Sequence, residues 1–466
     1  MAAPPHKRGV LKVGIGPRVL DQRQIPVVRS VRETGLPMKL FCSSEALISF
    51  SRRDSLNRLG DLSMTIESKH LNAAIFAGCV IAFLSFGFSA TFGIFMAPMS
   101  ADLGWGREVF SLSVAVQLLT WGISQPIAGA VADRYGTARV LAAGAVLAGI
   151  GFLLRGIVTD PTLFILTGIL TGAGTGAASF PIVIGALGKI VSAERRSFIM
   201  GLGTAAASLG MFVSAPAATA MIGGFGWQPS ILLIGASFAL ILPCLVFIAR
   251  VSKPTASGSS AKDFGTALST AFSDRSYLCL FFGFFVCGFH VAFIQTHLPA
   301  YVIDLGLAAW IGGWSLALIG LFNIAGSFFA GWAGQALSKR WVLTGIYLGR
   351  AIVIAIFILL PISESSVLVF SAVMGLLWLA TVPLTIGLVA QTQGLKFLST
   401  LAGLVFLSHQ TGSFLGAWLG GRIYDLNQDY TPMWWAAVVL GLLAALIHIP
   451  IREEPGPLAR AETDAR

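Results

Sequence analysis

Gly129-Ala-Val-Ala-Asp133-Arg134-Tyr-Gly136-Thr-Ala-Arg139 is a short charged turn joining two long apolar runs, 108–131 and 138–158. Each run is long enough to cross the ~30 Å hydrocarbon layer of a bilayer as a helix. Working outward from this turn, ten more such runs follow the same pattern, at 71–97, 162–185, 198–221, 229–249, 277–301, 310–334, 342–361, 366–390, 399–421 and 432–450. The expectation is an all-α membrane protein of twelve spans. Composition agrees. Only 11% of the 466 residues are charged and 55% are hydrophobic, with a mean hydropathy of +0.81. Soluble domains carry about 25% charged residues, so the solvent for most of this chain is lipid.

The connections between runs are mostly short. The exception is the stretch around Lys253-Pro-Thr-Ala-Ser-Gly-Ser-Ser260, which divides the chain into two blocks of six spans. The expected organisation is a basic N-terminal extension (1–69), a first six-helix bundle (70–250), a linker (251–275), a second bundle (276–450) and a tail (451–466). The blocks resemble each other. Pro98-x3-Asp102-Leu-Gly has a counterpart in Pro299-x4-Asp304-Leu-Gly, and Gly129-x3-Asp133 one in Gly331-x3-Gln335, the latter pair offset by 202 positions. Repeats of this kind place a binding site at the midplane between two halves in secondary transporters.

The net charge of +10 does not imply nucleic acid. Residues 1–63 hold 11 basic and 5 acidic side chains, and no basic stretch is interleaved with aromatics as a nucleic-acid reader requires. Residues 1–63 read either as a polybasic arm for anionic lipid or as an overlong start, with the working protein beginning at Met64. With the N-terminus inside, twelve Lys and Arg lie on inward loops and helix ends against Arg107 and Arg422 on the outward side. The positive-inside rule therefore puts both termini in the cytoplasm. The five cysteines form no CxxC pair, so neither a disulfide framework nor a zinc site is implied.

In its place after the second of twelve spans, the 129–139 turn resembles the G-x-x-x-D-[RK]-x-G-x-[RK] motif of the major facilitator superfamily. The resemblance implies two pseudo-symmetric six-helix bundles that rock about a central site. It also implies a gating relay of Asp133, Arg134 and Arg139, asymmetric because Gln335 replaces the second acid. Arg195-Arg196-x4-Gly201-Leu-Gly-x2-Ala-x-Ser208-x-Gly210 is similar to the fifth span of the monocarboxylate-porter-like branch. His409-Gln-x-Gly412-Ser-x2-Gly416 and Phe289-His290-x2-Phe-x2-Thr-His297-Leu-Pro are similar to its bacterial members. Span 8 lacks the Asp/Arg pair of the animal carriers and offers Asn323 instead.

The glycine sets Gly168/Gly172/Gly176 and Gly412/Gly416/Gly420 are not phosphate loops, because no Lys-[Ser/Thr] follows them. Their spacing of four makes each a helix-packing stripe. Ionisable groups inside spans are functional candidates. Arg350 lies near mid-depth and Arg155 nearer the outer side. A buried guanidinium without a carboxylate neighbour needs an anion or backbone carbonyls. His290, His297, His409 and Gln410 are candidates to donate to a substrate or carry protons, the other reading being polar groups satisfied within the protein. Trp378 with Thr381 and Thr385 are candidates to line a cavity for a flat ring.

The sequence therefore supports a secondary transporter of a small organic anion in a bacterial plasma membrane, monomeric, coupled to a proton or a counter-anion, and without a cofactor. A transporter of a neutral or aromatic solute, such as a drug or a flavin-like vitamin, is the alternative cargo reading. A membrane receptor or sensor is the rival from another class. No nucleophile-His-acid set or paired carboxylates suggests an enzyme.

Overall fold

The apolar runs become helices, as the computed structural model of residues 70–179, 181–183, 193–251 and 261–464 shows. The extension 1–69 and linker residues 252–260 lie outside these described residues, as do the side chains of Arg195, Arg196 and Lys262. The first six helices are α1 (His70–Leu103), α2 (Arg107–Tyr135), α3 (Thr137–Ile157), α4 (Pro161–Val183), α5 (Ala193–Phe225) and α6 (Trp227–Val251). The last six are α7 (Arg275–Asp304), α8 (Ala309–Ala336), α9 (Lys339–Leu359), α10 (Glu364–Gln393), α11 (Leu398–Asn427) and α12 (Thr431–His448). No strand occurs among the described residues.

Eleven of these helices are long and apolar enough to cross a membrane. The remaining one, α11, is 30 residues long, but Ser408, His409, Gln410, Thr411 and Ser413 lower its hydropathy. Its position explains how it tolerates them, since it runs along α7 on one side and α2 on the other.

The internal repeat of the sequence is also a repeat of packing. In the first half α2 lies along α4 and α3 along α6, while α1 crosses α5 where Gly87 meets Gly210. In the second half α8 lies along α10, α9 along α12, and α7 along α11. The halves meet chiefly through α2 with α11 and α5 with α8. Both glycine stripes serve this packing. A Cβ on Gly168 or Gly172 would overlap the α2 carbonyls of Ser113 or Gln117, and one on Gly412 or Gly416 the α7 carbonyls of Phe285 or Phe289. Small residues thus let backbones approach as apolar bulk would not.

Two segments expected as linker and tail are structured. Ala261–Ser273 is a helix that buries Ala267 and Ala271 and places Phe272 against Tyr277 and Phe281. After α12, Glu453 caps the start of α9, accepting from the Ser338 hydroxyl at 2.5 Å and the Arg340 N–H at 2.9 Å. The Gly456 N–H bonds the Thr392 carbonyl at the end of α10 (2.8 Å). This end of the molecule carries Arg134, Arg139, Arg275, Lys339, Arg340 and Lys396, whereas Arg107 and Arg422 lie at the opposite end.

Candidate functional site

The polar centre of the second half is built around a break in α10. The helix stops at Leu377 and resumes at Thr381. Pro383 supplies the cause: it has no N–H to offer the Leu379 carbonyl. The Val382 N–H takes that carbonyl instead, at 3.0 Å, and the carbonyls just before it need other donors. Arg350, from α9, supplies them. Its Nε and Nη2 bond the Leu377 carbonyl at 3.1 and 2.7 Å, and Nη2 also bonds the Trp378 carbonyl. Across the break, the Leu379 N–H donates to Asn323 Oδ1 at 2.9 Å, and Asn323 Nδ2 donates to the Ser208 hydroxyl of α5 at 2.8 Å. One asparagine therefore ties the break to the other half of the molecule.

Arg350 is 0% exposed, and its second terminal nitrogen, Nη1, has no hydrogen-bond partner among the described residues. No Asp or Glu occurs in 305–363 or 365–424, so no carboxylate from α8, α9 or the membrane-depth parts of α10 and α11 can offset this charge. Cys287 of α7 lies beside it. Its sulfur is 3.2 Å from the Thr381 hydroxyl and has Arg350, His409 and Tyr347 as polar neighbours. The Tyr347 hydroxyl, fully buried one turn below Arg350, makes no hydrogen bond to an oxygen or nitrogen among the described residues and faces the Cys287 sulfur.

The other expected site residues divide into three places. His290 donates through Nε2 to the Ala437 carbonyl of α12 at 2.8 Å and leaves Nδ1 unpartnered. Trp378 is buried at the break, its indole N–H without a hydrogen-bond partner among the described residues, and Thr381 faces Cys287. These three belong to the Arg350 centre. His409 and Gln410 lie towards the interface between halves: His409 Nδ1 is 2.9 Å from Gln410 Oε1, and Gln410 Nε2 donates to the Leu118 carbonyl of α2 at 2.9 Å. His297 is spent elsewhere, between the Tyr430 hydroxyl (2.9 Å) and the Ala417 carbonyl (2.7 Å).

Arg155 is remote from this centre, inside the first half. Its Nε donates to Thr167 Oγ1 (3.2 Å) and Nη1 to Gln117 Oε1 (2.6 Å). Its Nη2 donates to the Ser113 hydroxyl (3.0 Å) and carbonyl (3.2 Å). The guanidinium also lies 4.5 Å from the Phe92 ring centre. All of its nitrogens are occupied by α2 and α4.

Asp133, Arg134 and Arg139 are exposed at the end of α2 and the start of α3. Arg139 donates to the Tyr135 carbonyl at 3.4 Å. At the opposite end lies a charged cluster that sequence reasoning missed. Arg107 holds Asp304 through both terminal nitrogens, at 2.6 and 2.5 Å, and lies 3.7 Å over the Tyr424 ring. Glu108 pairs with Arg422 at 3.0 Å. Asp425 accepts the backbone N–H groups of Arg107 and Glu108 at 2.9 and 2.8 Å, capping α2 from α11. All of these bonds cross between the halves. The available signal was the repeated loop Pro98-x3-Asp102-Leu-Gly and Pro299-x4-Asp304-Leu-Gly, the second copy of which contains Asp304. Its partner, 197 positions away, is not legible from sequence. A groove of about 640 Å³ beside α7, α11 and α12 is lined by apolar side chains such as Phe285, Leu415 and Trp435, and holds none of this chemistry.

A family model of the Major Facilitator Superfamily matches residues 78–417. An uncharacterised MFS-type transporter, YcxA, of Bacillus subtilis is 26% identical over 375 residues, covering 78% of this chain and 90% of that one. Monocarboxylate transporter 13 of Rattus norvegicus is 26% identical over 368 residues (75% and 81%), and human monocarboxylate transporter 11 is 24% identical over 379 (78% and 79%). These relatives are transporters and not enzymes. Matched over most of its length and built of helices of membrane-spanning length, the chain belongs to the Major Facilitator Superfamily and is a multi-pass membrane transporter of a small molecule.

Proposed function

We propose that this transporter carries a small organic anion of the monocarboxylate type, by alternating access of its two halves, across a bacterial plasma membrane. The observation that carries this reading is Arg350: a buried guanidinium in a region without carboxylates, presenting an unpartnered Nη1 beside Thr381, Cys287 and Tyr347. A cargo carboxylate supplies the acceptor that this group lacks, and a guanidinium offers it a planar fork. The names of the animal relatives point to the same class. Asn323, Trp378, Thr381, His290, His409 and Gln410 complete the site, Asn323 and Gln410 on the side facing the first half. Arg155, with every nitrogen bonded, holds α2, α3 and α4 together and stays outside it.

The bonds of Arg107, Glu108, Asp304, Arg422 and Asp425 close the end we assign to the outer face. They must break when that end opens. Asp133, Arg134 and Arg139 act at the cytoplasmic end, where both termini lie, and a single chain suffices for the cycle. The test is uptake and counterflow in proteoliposomes, with a panel of small carboxylates and neutral analogues, run with and without a pH gradient. Saturable uptake of at least one monocarboxylate is expected. Uptake of neutral analogues alone refutes the reading.

A further inference from the structure

Two donors at the centre of the second half point to a need that cargo alone does not meet. Arg350 Nη1 and the Tyr347 hydroxyl are both fully buried and make no hydrogen bond to an oxygen or nitrogen among the described residues, the Tyr347 hydroxyl having only the Cys287 sulfur beside it. The Arg350 guanidinium lies 5.5 Å from the Tyr347 ring centre, so the two groups share one region. Around them the described residues offer few acceptors, chiefly the Cys287 sulfur and Nδ1 of His290, and no carboxylate. The Thr381 hydroxyl reaches the Cys287 sulfur at 3.2 Å, and His409 faces the same sulfur. The carbonyls of Leu377 and Trp378 are already taken by Nε and Nη2. A buried cation left without a counter-charge is destabilising. Between transport events, when no cargo is bound, that cost still has to be met.

We infer that Arg350, Tyr347 and Thr381 form a binding site for one small monovalent inorganic anion, chloride, which the carboxylate of the cargo displaces. The inference rests on the assignment of Arg350 as the cargo contact and extends it to the ion that holds the site in the meantime. The exchange balances: one monovalent anion leaves as another arrives, so the charge at Arg350 does not change. The counter-ion of transport is then an anion moving against the cargo, and the coupling is exchange. The site lies behind the α10 break, hemmed in by the Trp378 side chain and the ring of Tyr347, both 0% exposed, which suits a small monatomic anion while no cargo is bound.

The full chain in detergent provides the test, with chloride itself as the probe. Thermal unfolding is followed while chloride replaces isethionate, a bulky anion, at constant ionic strength. The wild type is expected to show a saturable rise of about 3 °C, because a ligand that binds only the folded state stabilises it by mass action. Arg350→Gln removes the cation and should show no rise. Cys287→Asp places a fixed carboxylate beside the guanidinium, so it should be stable without chloride and also show no rise. The second variant covers the case in which Arg350→Gln fails to fold. A wild type that is indifferent to chloride overturns the proposal, as does an equal rise in Cys287→Asp. A second arm adds acetate, lactate, pyruvate or benzoate to the chloride titration. If chloride stabilises and no carboxylate competes, the halide site stands and the organic-anion reading fails. If carboxylates bind and chloride does nothing, the halide site falls and the cargo reading stands.

Discussion

Arg155 and Arg350 are equally buried, both 0% exposed, yet their surroundings satisfy them in opposite ways. Arg155 is enclosed by neutral side chains placed for it: Gln117, Ser113 and Thr167 take every nitrogen, and Phe92 covers one face. Arg350 spends two nitrogens on the carbonyls of a broken helix and leaves the third unpartnered. A third arginine, Arg107, has what both of these lack, a bidentate carboxylate in Asp304. Charge inside a membrane protein is thus not a single signal of function. In the function proposed above, a guanidinium closed off by its own helices serves as scaffold, one paired across two halves as a latch, and one left open as the binding group.

The largest expected effect is at the open arginine. Arg350→Lys keeps the charge and loses the fork, so the carboxylate and the α10 carbonyls can no longer both be held. Loss of a charged hydrogen bond costs about 1.5–3 kcal/mol, which lowers apparent cargo affinity by about 10- to 150-fold. Uptake kinetics against concentration measure this, and an unchanged affinity would make Arg350 a helix cap and nothing more.

Next comes the closed arginine. Arg155→Met strands the acceptors of Gln117 and Ser113, and each buried group left unsatisfied costs about 1–3 kcal/mol. A lower thermal unfolding midpoint is expected, with cargo affinity within about threefold of wild type. A large affinity loss with unchanged stability would reverse the comparison and bring Arg155 into the site. The smallest effect belongs to the paired arginine. Arg107→Gln removes a partly exposed pair, with side-chain exposures of 11% and 26%. Such pairs are worth about 1 kcal/mol or less. An approximately fivefold shift or less towards the state open at this end is expected, read as labelling of a cysteine introduced at Ser111. The exchange Arg107→Asp with Asp304→Arg should restore the wild-type value.

Much of the fold was legible because the hydrocarbon layer imposes a length on every span, and twelve runs of that length stand in the sequence. The glycine stripes were legible as packing because a spacing of four can only mark one helix face. The site was legible in part. Arg350 stands out as a charge in an apolar run, and both ways of satisfying it could be named from sequence. Its actual partners, Leu377 and Trp378, are backbone carbonyls, which carry no residue-type signal. The break that exposes them had one sequence marker, Pro383, within a run that otherwise reads as continuous. Cys287 gave no signal because a thiol in an apolar run looks like any small core residue. The cluster of Arg107, Asp304 and Asp425 joins residues about 200 to 320 positions apart, and pairing over such distances comes only from the folded chain. The folding of the tail onto α9 and α10 depends likewise on Glu453 meeting a helix start more than one hundred positions earlier.

The central claim is that Arg350 recognises the negative charge of the cargo. Counterflow in proteoliposomes tests it most directly, with lactate and its uncharged amide compared in the wild type and in Arg350→Gln, each normalised to inserted protein. Any carboxylate found active in the panel, with its own amide, serves equally well. The account predicts that the wild type exchanges the acid far better than the amide and that Arg350→Gln loses the acid selectively, so that the two become equal. If acid and amide lose exchange in the same proportion, or if neither loses any, Arg350 is a structural cap and the cargo is not chosen by its charge.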